Sequence, residues 1–312
     1  MIKTYTGPAA PLTSLAISSN GQTLYGGSWD KTIWSWNIET GKTALRFNGH
    51  SDFVKTVLCL RLGERDVILS GGADGLIIIW DAAMAAKQHV LKGHGRGVLA
   101  LAVDPFPWLD AQGEPGEAVN LFSASSDPHI RRWSVRTDLS DVDEIDSDKP
   151  ILQHETSVNA LHFDEDGDLW TASSDGSAKC LSRELKWQAD VDLPHGDYVR
   201  DVVIDERGGW VATVGRDEEV KVWNRSGGKL YHTYSGHYEE ITGCLLLEQQ
   251  TLVTVGIDCT LRRWSLKAVD IKAAQQEAEE RQRNPSPPQP ESKQSILTAE
   301  EERELAELME DD

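Results

Sequence analysis

Residues 67–80 read VILSGGADGLIIIW. A β-branched apolar run enters Gly-Gly-Ala-Asp-Gly, and a second apolar run leaves it and ends in tryptophan. Two short antiparallel strands joined by a tight turn write themselves this way. Five further stretches share the pattern: LYGGSWDKTIWSW (24–36), LFSASSDPHIRRW (121–133), LWTASSDGSAKCL (169–181), WVATVGRDEEVKVW (210–223) and LVTVGIDCTLRRW (252–264). The turn aspartates are Asp30, Asp74, Asp127, Asp175, Asp217 and Asp258. Six residues on stand Trp36, Trp80, Trp133, Leu181, Trp223 and Trp264, in steps of 44, 53, 48, 42 and 41. A period of this length signals stacked copies of one β unit.

Further residues keep the same register. A hydroxyl lies ten residues before the tryptophan position at Ser70, Ser123, Thr171, Thr213 and Thr254. Gly-His pairs end at His50, His94 and His237, with His154 and His195 in the same place after Gln and Pro. One literal Trp-Asp occurs, Trp80-Asp81. The chain thus resembles the WD-repeat family of β-propellers over about residues 1–267. The resemblance implies that histidine, hydroxyl, aspartate and tryptophan form a hydrogen-bond chain within each blade. Complete sets are His50/Ser70/Asp74/Trp80, His94/Ser123/Asp127/Trp133, His195/Thr213/Asp217/Trp223 and His237/Thr254/Asp258/Trp264. A partly buried aspartate needs such donors. These sets look like Ser-His-Asp catalytic groups, but they recur around a ring, where a catalytic site would be single. The structural role is therefore expected. The first repeat has no histidine and has Gly26 for the hydroxyl, and the fourth has Leu181 for tryptophan, so these two blades are expected to be the softest.

The fold class expected is all-β: a six-bladed WD-repeat β-propeller closed by the N-terminal strand, with a helical and disordered acidic C-terminal tail. In the family the outer strand of one blade begins the next repeat. Five outer strands end in TALRFNGH, QHVLKGH, PILQHE, ADVDLPH and LYHTYSGH; IKTYTG resembles the last and is expected to supply the sixth. Residues 2–6 would pair with the unit ending at Trp264 and remove the exposed sheet edges. Seven blades would need about 290 residues and consume the tail. The loop 105–119 holds Trp108, either a partner anchor or a cover for the rim. The stretch RTDLSDVDEIDSDK (136–149) reads as an acidic mobile loop.

On one propeller face, the loops of the resemblance bring forward Trp29, Phe53, Lys55, Tyr198, Arg200 and Arg216. Aromatic and arginine side chains dominate binding hot spots, and cations recognise carboxylate or phosphate. The partner expected is a protein, through an acidic or phosphorylated segment. The alternative is a set of ordinary rim residues with no shared ligand. Trp133-Ser-Val-Arg136 and Trp264-Ser-Leu-Lys267 resemble, with serine for aspartate, the Trp-Asp-x-Arg element by which some family members engage a cullin-4 ligase adaptor.

The tail, 268–312, reads as a helix over 268–283, a proline-rich linker over 284–296 and a short amphipathic helix over 298–310. Thr298 and Glu301 form a capping box, and Leu305, Leu308 and Met309 share one face. That face suits a partner's groove, or else the segment is a solubilising acidic tail.

Composition bounds the rest. The 312 residues carry 31 basic and 51 acidic side chains, a net charge of −20. Broad binding of a phosphate backbone needs the opposite sign, so no direct nucleic-acid contact is expected. The tail carries 13 acids and 5 bases, or −8, which leaves −12 on residues 1–267. No apolar run approaches the ~20 residues of a membrane span, and MIKTYTGPAAP has no signal-peptide core. Cys59, Cys180, Cys244 and Cys259 form no CxxC pair and read as reduced thiols of the cytosol or nucleus. With no phosphate loop, HExxH or nucleophile elbow, no enzyme, cofactor or metal is expected. The functional expectation is a monomeric ring acting as an interaction scaffold or adaptor within a larger assembly; the alternative is a substrate receptor of a cullin-type ubiquitin ligase.

Overall fold

Each repeat becomes one antiparallel sheet in the computed structural model, which describes residues 4–106 and 117–283. Blade one is β1 (Leu12–Ile17), β2 (Thr23–Ser28), β3 (Thr32–Asn37) and β4 (Thr43–Asn48). Blade two is β5 (Val54–Leu62), β6 (Arg65–Gly72), β7 (Leu76–Asp81) and β8 (Ala86–Lys92). Blade three holds β9 (Val98–Val103), β10 (Ala118–Ser125), β11 (His129–Arg136), β12 (Val142–Ile145) and β13 (Ile151–Leu152). Blade four is β14 (Val158–Phe163), β15 (Leu169–Ser173), β16 (Ser177–Ser182) and β17 (Gln188–Pro194). Blade five is β18 (Val199–Asp205), β19 (Trp210–Gly215), β20 (Glu219–Asn224) and β21 (Leu230–Ser235). Blade six has three strands, β22 (Ile241–Leu247), β23 (Thr251–Gly256) and β24 (Leu261–Ser265). The sheets are consecutive hairpin meanders, as the alternation of apolar runs and Asp-Gly turns dictates. The chain divides into two units, Met1–Ala268 and Val269–Asp312. A 16-residue helix, α1 (Ala268–Arg283), runs through Ala-, Gln- and Glu-rich sequence.

The core lies between blades. Val54 and Val57 of β5 pack against Tyr25, Ile33 and Phe47 of blade one. Val98 and Leu101 of β9 join Leu69 and Ile79 of blade two. Val158 and Leu161 meet Phe122 and Ala124, and Val199 and Val202 meet Trp170 and Ala172. The first strand of each of blades two to five is thus a wedge seated on the blade before it.

The expected pairing of the N-terminal segment with β24 is not seen among the described residues: residues 1–3 lie outside them, and residues 4–6 reach blade one much as Tyr234 of β21 reaches Trp264 and Ser265 of blade six. The Thr6 carbonyl accepts from the Trp36 indole at 2.8 Å and from the Thr43 hydroxyl at 2.9 Å, and the Tyr5 hydroxyl donates to the Ile38 carbonyl. Gly26 leaves Trp36 without a hydroxyl partner inside its own sheet, and Thr6 takes its place. Among the described residues β24 is left as an edge, and β22 and β1 do not adjoin as the other five pairs of inner strands do. The expectation that the acidic stretch 136–149 is a mobile loop fails. Its centre is β12, paired with β11, because Arg131 and Arg132 give Glu144 and Asp146 cationic partners.

Candidate functional site

The buried polar sets build from the turns inward. In blade two the Trp80 indole donates to Ser70 Oγ at 2.8 Å, His50 Nε2 lies 2.8 Å from the same oxygen, and Nδ1 lies 3.0 Å from Asp74. These partners assign the histidine proton to Nδ1, with Nε2 accepting the serine proton. The backbone N–H of Ser51 adds a donor to Asp74 at 2.8 Å. Blade six repeats the chain through Trp264, Thr254, His237 and Asp258, at 2.8, 2.7 and 2.9 Å. Blade three keeps Trp133–Ser123–His94 at 2.8 Å each but opens His94–Asp127 to 3.7 Å. In blade five Trp223 reaches Thr213 at 2.7 Å, while Lys221 takes Asp217 at 2.6 Å and neither His195 nitrogen has an aligned hydrogen bond.

Burial sets the protonation of His50 and His94. It pushes His94 down to about 4, with Asp127 opposing, and lowers His50 in the same way. Burial alone would raise Asp74, but the Ser51 amide and His50 outweigh it and hold the carboxyl low. His50 and His94 stay neutral and Asp74 charged, which suits a fixed scaffold rather than a proton shuttle. Burial also pushes the Cys59 thiol to about 11 and Cys180 to about 12, so both stay protonated.

The glycine of each Gly-His pair has a steric reason. A Cβ at Gly49 would sit 2.7 Å from the Trp80 ring, and at Gly93 and Gly236 3.0 and 3.1 Å from Trp133 and Trp264. Gly7 holds the same relation to Trp36 at 2.9 Å. Blade four, with Leu181 in place of the third-strand tryptophan, tolerates Gln153 at this position. Pro194 stands there in blade five beside an intact Trp223, and nothing in the structure explains it. Blade four keeps His154 on Asp175 at 2.8 Å and on Thr171 at 2.7 Å. Buried Trp187 replaces the lost bulk, packing edge-on to Phe122 at 4.9 Å between ring centroids.

A second aspartate series escaped the sequence reading. Asp104 and Asp164 follow the first strands of blades three and four, Asp205 ends that of blade five, and all three are buried. Each receives a donor from the next blade: Arg183 to Asp104 at 2.6 Å, Arg225 to Asp164 at 2.8 Å and Gln250 to Asp205 at 2.6 Å. The sequence carried it as VDP, FDE and IDE, at the end of each apolar run.

The six surface residues fall into two clusters. Trp29, from the β2–β3 turn, stacks on Phe53 at 5.1 Å between centroids and 14° between planes. The Lys55 ammonium lies 5.7 Å from the Trp29 ring and 5.9 Å from Phe53. Trp29 is 43% exposed. Blade five supplies the second cluster, with the Arg216 guanidinium 5.2 Å over Tyr198, itself 41% exposed. Arg200 is not free, because it is ion-paired to Glu240 of blade six. Among the described residues neither Lys55 nor Arg216 has a carboxylate within ion-pair distance. Exposed Tyr238, under Arg262 at 5.5 Å, was not anticipated. Trp108, Leu305, Leu308 and Met309, with the linker and second tail helix, lie outside the described residues.

Comparison with known proteins adds relatives to this geometry. A family model described as WD domain, G-beta repeat matches residues 1–37, 41–81, 149–181 and 191–224. An uncharacterized WD repeat-containing protein of Schizosaccharomyces pombe is 33% identical over 99% of this chain and 79% of its own length. The nuclear distribution protein nudF of Aspergillus niger is 29% identical over 57% of this chain and 37% of its own length. A ribosome biogenesis protein WDR12 homolog of Anopheles gambiae is 23% identical over 73% of this chain and 55% of its own. Among solved structures, the computationally designed Ika8 protein superposes with a TM-score of 0.62 at 22% identity, covering 84% of this chain and 73% of that one.

Proposed function

The chain belongs to the WD-repeat family of β-propellers, and from that premise we propose that it is a non-enzymatic interaction scaffold or adaptor. The family is generally non-enzymatic and binds other proteins. In this reading residues 1–267 present a peptide-binding face and residues 268–312 form a tail that engages a partner through Leu305, Leu308 and Met309. The observation that carries it is the Trp29–Phe53–Lys55 stack. Two aromatic rings are held parallel, Trp29 exposed and Phe53 half-buried, with an ammonium above them that no carboxylate among the described residues neutralises. A flat apolar platform beside an unpaired cation suits a peptide with an aliphatic or aromatic residue next to a carboxylate or phosphate. Arg216 over Tyr198 offers the same pairing on blade five. A cytoplasmic or nuclear location accords with relatives named for nuclear distribution and ribosome biogenesis.

The ligase-receptor alternative requires Arg136 to face an adaptor. Arg136 instead reaches Ser140, Glu117 and Asp138 within the chain, which favours the scaffold reading. The test is affinity capture from native cells with the full chain and with Lys55→Glu/Arg216→Glu. The double variant should keep the wild-type melting curve and lose its stoichiometric protein partners. Unchanged capture would sink the face, and recovery of a cullin adaptor through Arg136 would favour the alternative.

A further inference from the structure

Blade one lacks the seat that every other first strand has. Leu12 occupies the position of Val54, Val98, Val158, Val199 and Ile241, all fully buried. Leu12 is 46% exposed, and Leu15, the counterpart of buried Val57, is 59% exposed. These two positions point to the preceding blade, as Val54 and Val57 do onto Tyr25 and Phe47. Blade six shows the complementary defect. Val255 stands where blades three to five have buried Ala124, Ala172 and Val214, and where Gly27 of blade one lies against Val54 and Val57 of the next. Val255 is 41% exposed, and Leu245, the counterpart of buried Val203, is 60% exposed.

We propose that this seam is a head-to-tail docking surface for a second copy of the chain, with blade six of one copy seated on β1 of the next. Repetition supplies the complementarity. Five times within the chain, a face built like that of blade six receives a strand built like β1, through small or aliphatic residues in the same register. A second copy carries both halves of that fit. Leu12 and Leu15 on β1, and Leu245 and Val255 on blade six, are exposed apolar side chains of the kind that marks an interface. The edge of β24 beside it is the sort of feature that pairing or covering removes. Because the two halves differ, the contact is heterologous: copies either close into a ring or extend with concentration.

Light scattering coupled to size-exclusion chromatography tests this on the full chain. Wild-type protein should run at or above twice the chain mass, rising with concentration. Leu12→Asp/Leu15→Asp spoils one half and Leu245→Asp/Val255→Asp the other, so each variant alone should run as a single chain. Mixed, they should form one-to-one complexes that grow no further, since each retains the half the other lost. Wild-type protein at single-chain mass across the concentration range would overturn the proposal, whether the chain then closes on itself or takes an unlike partner. So would a mixture that stays monomeric while both variants keep the wild-type circular dichroism.

Discussion

His94 and Asp164 show how the molecule uses buried polarity. The histidine is kept neutral, with its folded value near 4 against an ordinary 6.5. Between those values the unfolded chain binds more protons than the folded one, so stability rises with pH. It is complete above pH 6.5 and drains away as pH falls toward 4, by about 3 kcal/mol for this group. Urea titrations at pH 7 and pH 4.5 should show the loss, and His94→Gln should flatten it. Asp74→Ala removes the acceptor of His50 and of the Ser51 amide and should cost roughly 1–3 kcal/mol. Loss of partner capture in a fully stable Asp74→Ala protein would contradict its structural role. Asp164→Ala should cost more, about 3 kcal/mol or above, because it strands the Trp170 indole and breaks the Arg225 ion pair that ties blade four to blade five. The first aspartate series was legible because its histidine, hydroxyl and indole partners share one repeat. The second was not, because the donor that ties each to the next blade lies in another repeat and is Arg in two cases and Gln in the third.

At the level of elements, strand pairing could be read from the apolar–turn–apolar pattern, since its period and turn residues are local. Failures came where a non-local partner decided the outcome. The 136–149 stretch reads as a solvated acidic loop until Arg131 and Arg132 are placed beside it. Blade four carries the sharper test. Leu181→Trp would restore the repeat pattern and return an indole donor to Thr171. Trp187 already fills the neighbouring space against Phe122 and Phe163, where Leu181 is wholly buried. The substitution should therefore overpack the sheet and destabilise by about 1–3 kcal/mol in urea unfolding. A gain in stability would show that the cluster has room and that Trp187 is no substitute for the missing side chain.

Across the whole propeller, six sheets joined face to face behave as a nearly one-dimensional array in which each unit draws stability from its neighbours. A closed ring gives every blade two neighbours. Here blades two to five have two each, while blades one and six each leave one face bare, as Leu12 and Val255 record. Opening should therefore begin at the seam and move inward. Hydrogen exchange measured by mass spectrometry, at a concentration low enough for the chain to be monomeric, should find amides of β1 and β23 less protected than their counterparts β9 and β19. β1 pairs with its second strand in the register of β9, and β23 with its first strand in the register of β19, so the missing neighbouring blade is the difference common to both comparisons. Raising the concentration should restore protection at β1 and β23 and leave β9 and β19 unchanged, because only the seam strands gain a neighbour when copies meet. Uniform protection around all six blades at low concentration would mean that the seam is closed in solution, and the ends of the array would then carry no special weakness.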